Sequence, residues 1–214
     1  GSLYFFTENT ALGITQASNV SFIICTAPLL TTILSLLFYK SEKASKGLIY
    51  GSLLALMGVG LIVFNGSFVL KISPIGDLLT LLAALSWAFY SLIIKKMAGR
   101  YPTIFITRKI FFYGVLTILP AFLLHPLHPD TAVLLQPAVL FNLLFLAVLA
   151  SLICYVLWNV VLKQLGTVRA SNYIYLNPLV TMIASFLILD EKITLVALGG
   201  AACIVCGVYW AEKK

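Results

Sequence analysis

Eight apolar stretches of helical length fill almost the whole chain, and they constrain its fold more than any other feature. Polar breaks set them at residues 2–16, 20–39, 47–64, 76–94, 104–124, 138–161, 168–189 and 193–211. A bilayer core about 30 Å thick takes about 20 apolar residues as a helix. Lipid offers no partners to backbone N–H and C=O groups, so each stretch has to satisfy its own, as a helix does. Membrane barrel strands would run about 10 residues with alternating polarity, a pattern absent here. Apolar residues make up 61% of the 214 and charged ones 10%, too few charges to cover a soluble globule. The expected fold class is therefore all-α, a polytopic membrane bundle of eight helices with short connections.

The net charge of +7 then reads as orientation. Assigning loops to alternate sides puts Lys40, Lys43, Lys46, Lys95, Lys96, Arg100, Arg108, Lys109, Lys163, Arg169, Lys213 and Lys214 on one side. Only Lys71 and Lys192 fall on the other. Lys and Arg accumulate on the cytoplasmic face, so both ends of the chain are expected in the cytoplasm, with the chain in the cell's inner membrane. The basic residues sit in short loops without a stripe of interleaved aromatics, so the expected partners are the lipid bilayer and a small-molecule substrate, not nucleic acid.

The chain also matches itself. At an offset of 150, Asn9 meets Asn159, Leu12 meets Leu162, Ser21 meets Ser171, Pro28 meets Pro178, Thr31 meets Thr181 and Ser35 meets Ser185. One residue later in register, Glu42-Lys43 meets Glu191-Lys192, Gly51 meets Gly200, and Gly58-Val59 meets Gly207-Val208. The first three stretches and the last three are thus copies of one unit. Five helices separate the copies, and an odd number inverts their orientation in the membrane, as in secondary transporters. The offset also implies partners for the fourth and fifth stretches ahead of residue 1. The expectation is a ten-helix unit lacking its first two helices, with residues 1–66 as part of one repeat and 74–214 as the other. An eight-helix paralogue is the alternative.

These landmarks resemble the EamA family of the drug/metabolite transporter superfamily. The resemblance is carried by Ala11-Leu12 through Pro28, Glu42, Gly51–Gly60, Gly76–Lys96 with Trp87, Gly166–Pro178, Glu191 and Gly200–Gly207. It implies two inverted five-helix repeats, of which this chain supplies helices three to ten. It further implies a central substrate cavity and export of small metabolites such as amino acids.

The residues themselves nominate a site. Of the seven acids, only Glu8 lies near the middle of a stretch, where an ionisable group is costly and suggests function. Without a cation at that depth, desolvation favours the neutral acid, which suits proton coupling, binding of a substrate amine, or both in turn. A structural, hydrogen-bonded Glu8 is the plain alternative. Asn9 and Asn159 must find partners at lipid depth, as cavity lining or as interhelical contacts. Trp87 with Tyr90, and Tyr155 with Trp158, repeat a three-residue spacing that puts each pair on one helix face, suited to apolar, aromatic or cationic substrates or to ordinary packing. Pro28 and Pro178 interrupt their helices at matching points, and Tyr175 and Asn177 flank the second interruption.

Small residues at Gly199, Cys203, Gly207 and Ala211, and at Gly51 and Ala55, allow close helix approach. Two uses are open to them, a homodimer contact or packing inside the chain. Cys203 and Cys206 fall within an apolar helix pattern and read as packing residues. His125, His128 and Asp130 sit beside prolines in a loop, so no metal, cofactor or enzymatic chemistry is expected. The function expected is secondary transport of a small organic metabolite by alternating access, with proton coupling as one option. An uncoupled facilitator and a non-transporting scaffold are the rivals.

Overall fold

The structure, a computed structural model, describes residues 1–39, 45–64, 73–124, 131–189 and 193–213. Lys40, Glu42, Lys43, Lys71, His125, His128, Asp130, Glu191, Lys192 and Lys214 lie outside the described residues. All regular structure among the described residues is helical. The first stretch is α1 (Ser2–Ile14), and the second divides into α2 (Ala17–Ile24) and α3 (Ala27–Phe38). Then come α4 (Lys46–Phe64), α5 (Pro74–Ala98), α6 (Thr103–Leu124) and the single turn α7 (Thr131–Leu134). The sixth stretch is continuous from α8 (Pro137–Leu144) through a π-helical segment (Phe145–Ile153) into α9 (Cys154–Leu165). The seventh is α10 (Thr167–Asn172), a 3-10 turn (Tyr173–Leu176) and α11 (Asn177–Leu189), and the last is α12 (Leu195–Glu212).

Seven of these helical stretches are long and apolar enough to cross a membrane. The first of the eight expected stretches is also helical, as α1, and stands apart from these seven only by its length among the described residues. α1 has 13 residues, about 20 Å of helix; it stops at Ile14, and the chain bends through Thr15-Gln16 before α2 begins. The widest departure from plain α geometry is the π-helical segment, where the Cys154 N–H bonds the Leu149 carbonyl five residues back. Gly166, at φ 80°, lets α9 turn directly into α10, a conformation that glycine adopts without a Cβ penalty.

Contacts divide the chain into two compact units, Leu3–Leu92 with Thr167–Lys214, and Gly1–Ser2 with Ile93–Gly166. The division does not follow the repeat boundary expected from the sequence, since α10, α11 and α12 group with α1 to α4 and the first part of α5. In the larger unit, α4 and α12 meet backbone to backbone. A Cβ on Gly51 would lie 2.5 Å from the Gly207 oxygen and the Ala211 nitrogen, and one on Gly58 would lie 2.5 Å from the Gly200 oxygen. A Cβ on Gly200 would meet the Gly58 oxygen at 2.7 Å, and one on Gly207 the Gly51 oxygen at 2.6 Å. Lipid gives no hydrophobic drive between helices, so such close approach supplies the van der Waals contact that holds them. Ala55, Val59, Ile204 and Val208 extend this seam into a core with Cys25 and Tyr175.

The register of the small-residue face differs from the sequence reading. Gly199 has open space where its Cβ would go, and the buried face of α12 runs Gly200, Ile204, Gly207, Ala211. Spacings of four, three and four follow the 3.6-residue turn; a strict repeat of four drifts off it. These glycines are used within the chain.

Candidate functional site

In the larger unit, α1 lies antiparallel to the first half of α5. Gly76 abuts the Thr15 side chain, the Ser73 hydroxyl bonds the Ile14 carbonyl at 3.4 Å, and Tyr4 stacks obliquely on Trp87 with centroids 5.3 Å apart. Thr7, Ala11, Thr80, Ala83 and Ala84 are buried. Tyr4 is the link between Glu8 and the aromatic face of α5.

Glu8 is half-buried near the centre of α1. The Tyr4 hydroxyl, one turn earlier, donates to its Oε1 at 2.9 Å. Tyr4 touches Trp87, and Trp87 lies 5.4 Å from Tyr90, centroid to centroid, at 35°. The result is a carboxylate oriented by a phenol and continued by a series of three rings, Tyr4, Trp87 and Tyr90. No Lys or Arg occurs in α1, and α5 carries none before Lys95. A carboxylate next to aromatic faces, with no cation on α1 or the adjoining half of α5, is chemically suited to an ammonium group or a proton.

The remaining residues are placed as follows. Asn9 is exposed, and its amide donates back to the Phe5 carbonyl at 2.8 Å. Its repeat mate Asn159 is buried in the other unit and donates to Thr107 Oγ1 at 2.9 Å. With Phe111 5.4 Å from Tyr155, this bond sets α9 antiparallel to α6, and Trp158 is half-buried on the same helix. Tyr175 is fully buried in the 3-10 turn of the larger unit. Asn177 is exposed at the start of α11. Pro28 and Pro178 are both buried at the second position of a helix that follows a broken turn. The nine candidates thus fall into two groups, with Tyr155, Trp158 and Asn159 in the smaller unit and the other six in the larger.

Two site residues escaped the sequence reading. Tyr4 was signalled by its four-residue spacing from Glu8, which stacks the two on one helix face. Thr107 carried no signal beyond being a hydroxyl in an apolar helix.

A family sequence model described as the EamA-like transporter family matches residues 1–64 and 74–211. The chain belongs to the EamA-like transporter family. Like other EamA members it is a multi-pass membrane transporter. An uncharacterized transporter of Archaeoglobus fulgidus is 30% identical over 214 residues, which are 99% of this chain and 72% of that protein. A probable amino-acid metabolite efflux pump of Salmonella typhimurium is 29% identical over 182 residues, covering 80% of this chain and 60% of the pump. The pump of the same description in Escherichia coli is 24% identical, covering 93% of this chain and 69% of the pump. A protein of known crystal structure, 18% identical, superposes with a TM-score of 0.84 over 98% of this chain and 71% of its own. That likeness extends to the fold of the EamA chain.

Proposed function

We propose that this EamA chain exports a small amine-bearing organic metabolite, an amino acid or similar compound, by alternating access, and that the Glu8 carboxylate takes the amine or a proton. The observation that carries the reading is the Tyr4–Glu8 hydrogen bond at 2.9 Å set against Trp87 and Tyr90. A hydrogen bond to an ionisable group fixes its direction, and the rings offer faces to a cation and to an apolar side chain. The description of two relatives as amino-acid metabolite efflux pumps supports the substrate class. The breaks at Pro28 and Pro178 are where the spans would bend, since a broken turn transmits rotation that a continuous helix resists. The chain would supply helices three to ten of two inverted repeats in the inner membrane, with both its ends cytoplasmic. Twelve cations on one side against two on the other support that orientation.

The test is efflux of labelled amino acids from proteoliposomes at several pH values, with Glu8→Gln beside the unmutated protein. Export of one class, with a pH dependence that Glu8→Gln abolishes, is the expected result. Export of unchanged pH dependence in the variant would replace proton coupling with an uncoupled facilitator in which Glu8 is structural. No transport of any amine would overturn the reading in favour of a scaffold.

A further inference from the structure

The described residues of the smaller unit carry charge of one sign. Its described residues include Lys95, Lys96, Arg100, Arg108, Lys109 and Lys163 and no acid. Asp130, the one acid in its sequence, lies outside the described residues and follows the C-terminal end of α6. The larger unit differs, because there Arg169 meets Glu212 at 3.9 Å.

All six cations belong to one end of the unit. Lys95 and Lys96 are in the last turn of α5, and four residues later the chain enters α6 through Arg100 and Pro102. Arg108 and Lys109 follow five and six residues into α6. Lys163 is one turn beyond Asn159, whose bond to Thr107 ties the end of α9 to the start of α6. Lys95, Lys96 and Lys163 sit at helix C-termini, where the macrodipole favours positive charge. Arg108 and Lys109 sit instead in the second turn of α6 and gain nothing from the macrodipole. The first N–H groups of a helix also lack carbonyl partners and favour an anion.

Depth sharpens the point. The apolar span of α6 begins at Thr103, so Arg108 and Lys109 start about 8–9 Å along it. Their long side chains can reach back to the headgroup level. They are held over rings of their own helix, Arg108 at 5.5 Å from the Phe105 centroid and Lys109 at 5.8–5.9 Å from Phe105, Phe112 and Tyr113. Tyr101 stacks on Phe105 at 5.5 Å. Tyr101 and Phe105 stand at the end of the span, where aromatic residues gather at an interface, and both cations reach Phe105. Around it Ile104 and Phe112 are exposed, as acyl chains would require.

We propose that this end of the smaller unit binds the headgroup phosphate of an anionic phospholipid, with Arg108 and Lys109 as its contacts. Charge and apolar surface together select a lipid over a soluble anion, since the phosphate answers the cations while the acyl chains cover Ile104 and Phe112.

The test is native mass spectrometry of the protein released from vesicles of mixed phosphatidylglycerol and phosphatidylcholine. The unmutated protein should retain phosphatidylglycerol in preference to phosphatidylcholine. R108Q/K109Q should lower the apparent affinity for phosphatidylglycerol about 30-fold, from two surface-level cations, and leave phosphatidylcholine unchanged. R108K/K109R, which keeps both charges, should retain most of the preference and guards against a folding defect. Equal retention of the two lipids, or an undiminished preference in R108Q/K109Q, would overturn the proposal. So would displacement of the lipid by inorganic phosphate at equal concentration, which would make free phosphate the ligand.

Discussion

Gly207→Ala probes the seam between α4 and α12. The new Cβ would lie 2.5 Å from the Ala55 nitrogen and 2.6 Å from the Gly51 oxygen, where ordinary contact begins at 3.4 Å. The two backbones would have to part by about 0.9 Å (3.4 − 2.5). Both close atoms are backbone, so no rotamer change relieves the clash. Overpacking of this kind costs about 1–3 kcal/mol, and the better helix propensity of alanine returns up to about 1 kcal/mol. The net expectation is a loss of about 1–2 kcal/mol. Gly51→Ala crowds the same contact, so once the helices have parted the second substitution is cheap. The double variant should therefore cost about 1 kcal/mol less than the sum of the singles. Gly199, one residue from Gly200, has open space, and Gly199→Ala should be neutral or stabilising by up to about 1 kcal/mol. Denaturant titration in mild detergent, followed by helix content, measures all four. Equal stability of the Gly199 and Gly207 variants, or strict additivity of Gly51→Ala with Gly207→Ala, would refute the close-packing argument.

A double-mutant cycle of Thr107→Val and Asn159→Leu should return a coupling of about 0.6 kcal/mol, and at most about 1.7 kcal/mol, for an interhelical hydrogen bond in lipid; zero coupling in the same titration would mean that the bond does not hold α6 to α9. Tyr4→Phe should keep transport but raise KM about 10-fold, the loss of one hydrogen bond to a charged group, and an unchanged KM in proteoliposome kinetics would separate Tyr4 from the site. Trp87→Leu should raise KM for a cationic substrate about 5- to 30-fold while Trp87→Phe recovers part of it; identical kinetics for the two would remove the ring face from recognition.

Much of this architecture is legible in the sequence because lipid leaves the backbone few choices. The apolar stretches, the proline positions and the repeat landmarks all mark helices or their breaks. The finer placements depend on neighbours. Adjacent Gly199 and Gly200 offer two registers, and the large Ile204 in the true face hides it from a search for small residues. The π-helical segment Phe145–Ile153 has no proline or glycine to announce it. Asn9 and Asn159 look equivalent as symmetry mates, yet one turns back on its own helix and the other crosses to Thr107. Glu8 is conspicuous as a lone acid, and Tyr4 stands one turn before it, whereas the link from Tyr4 on to Trp87 becomes visible only when α1 is laid against α5.

The glycine seam has a further consequence. Under the repeat correspondence Gly51 maps to Gly200 and Gly58 to Gly207, so the Gly51–Gly207 contact maps onto the Gly58–Gly200 contact. The contact is its own mirror: α4 and α12 present the same patch to each other, the isologous geometry of a two-fold homodimer. A single ancestral copy bearing this face would already have had the means to pair with itself. Joining two copies in one polypeptide makes that pairing intramolecular, at high effective concentration, and frees each half to diverge. Under the same correspondence Glu8 pairs with Trp158 and exposed Asn9 with buried Asn159, so the two copies differ there, while the four contact positions are glycine in both.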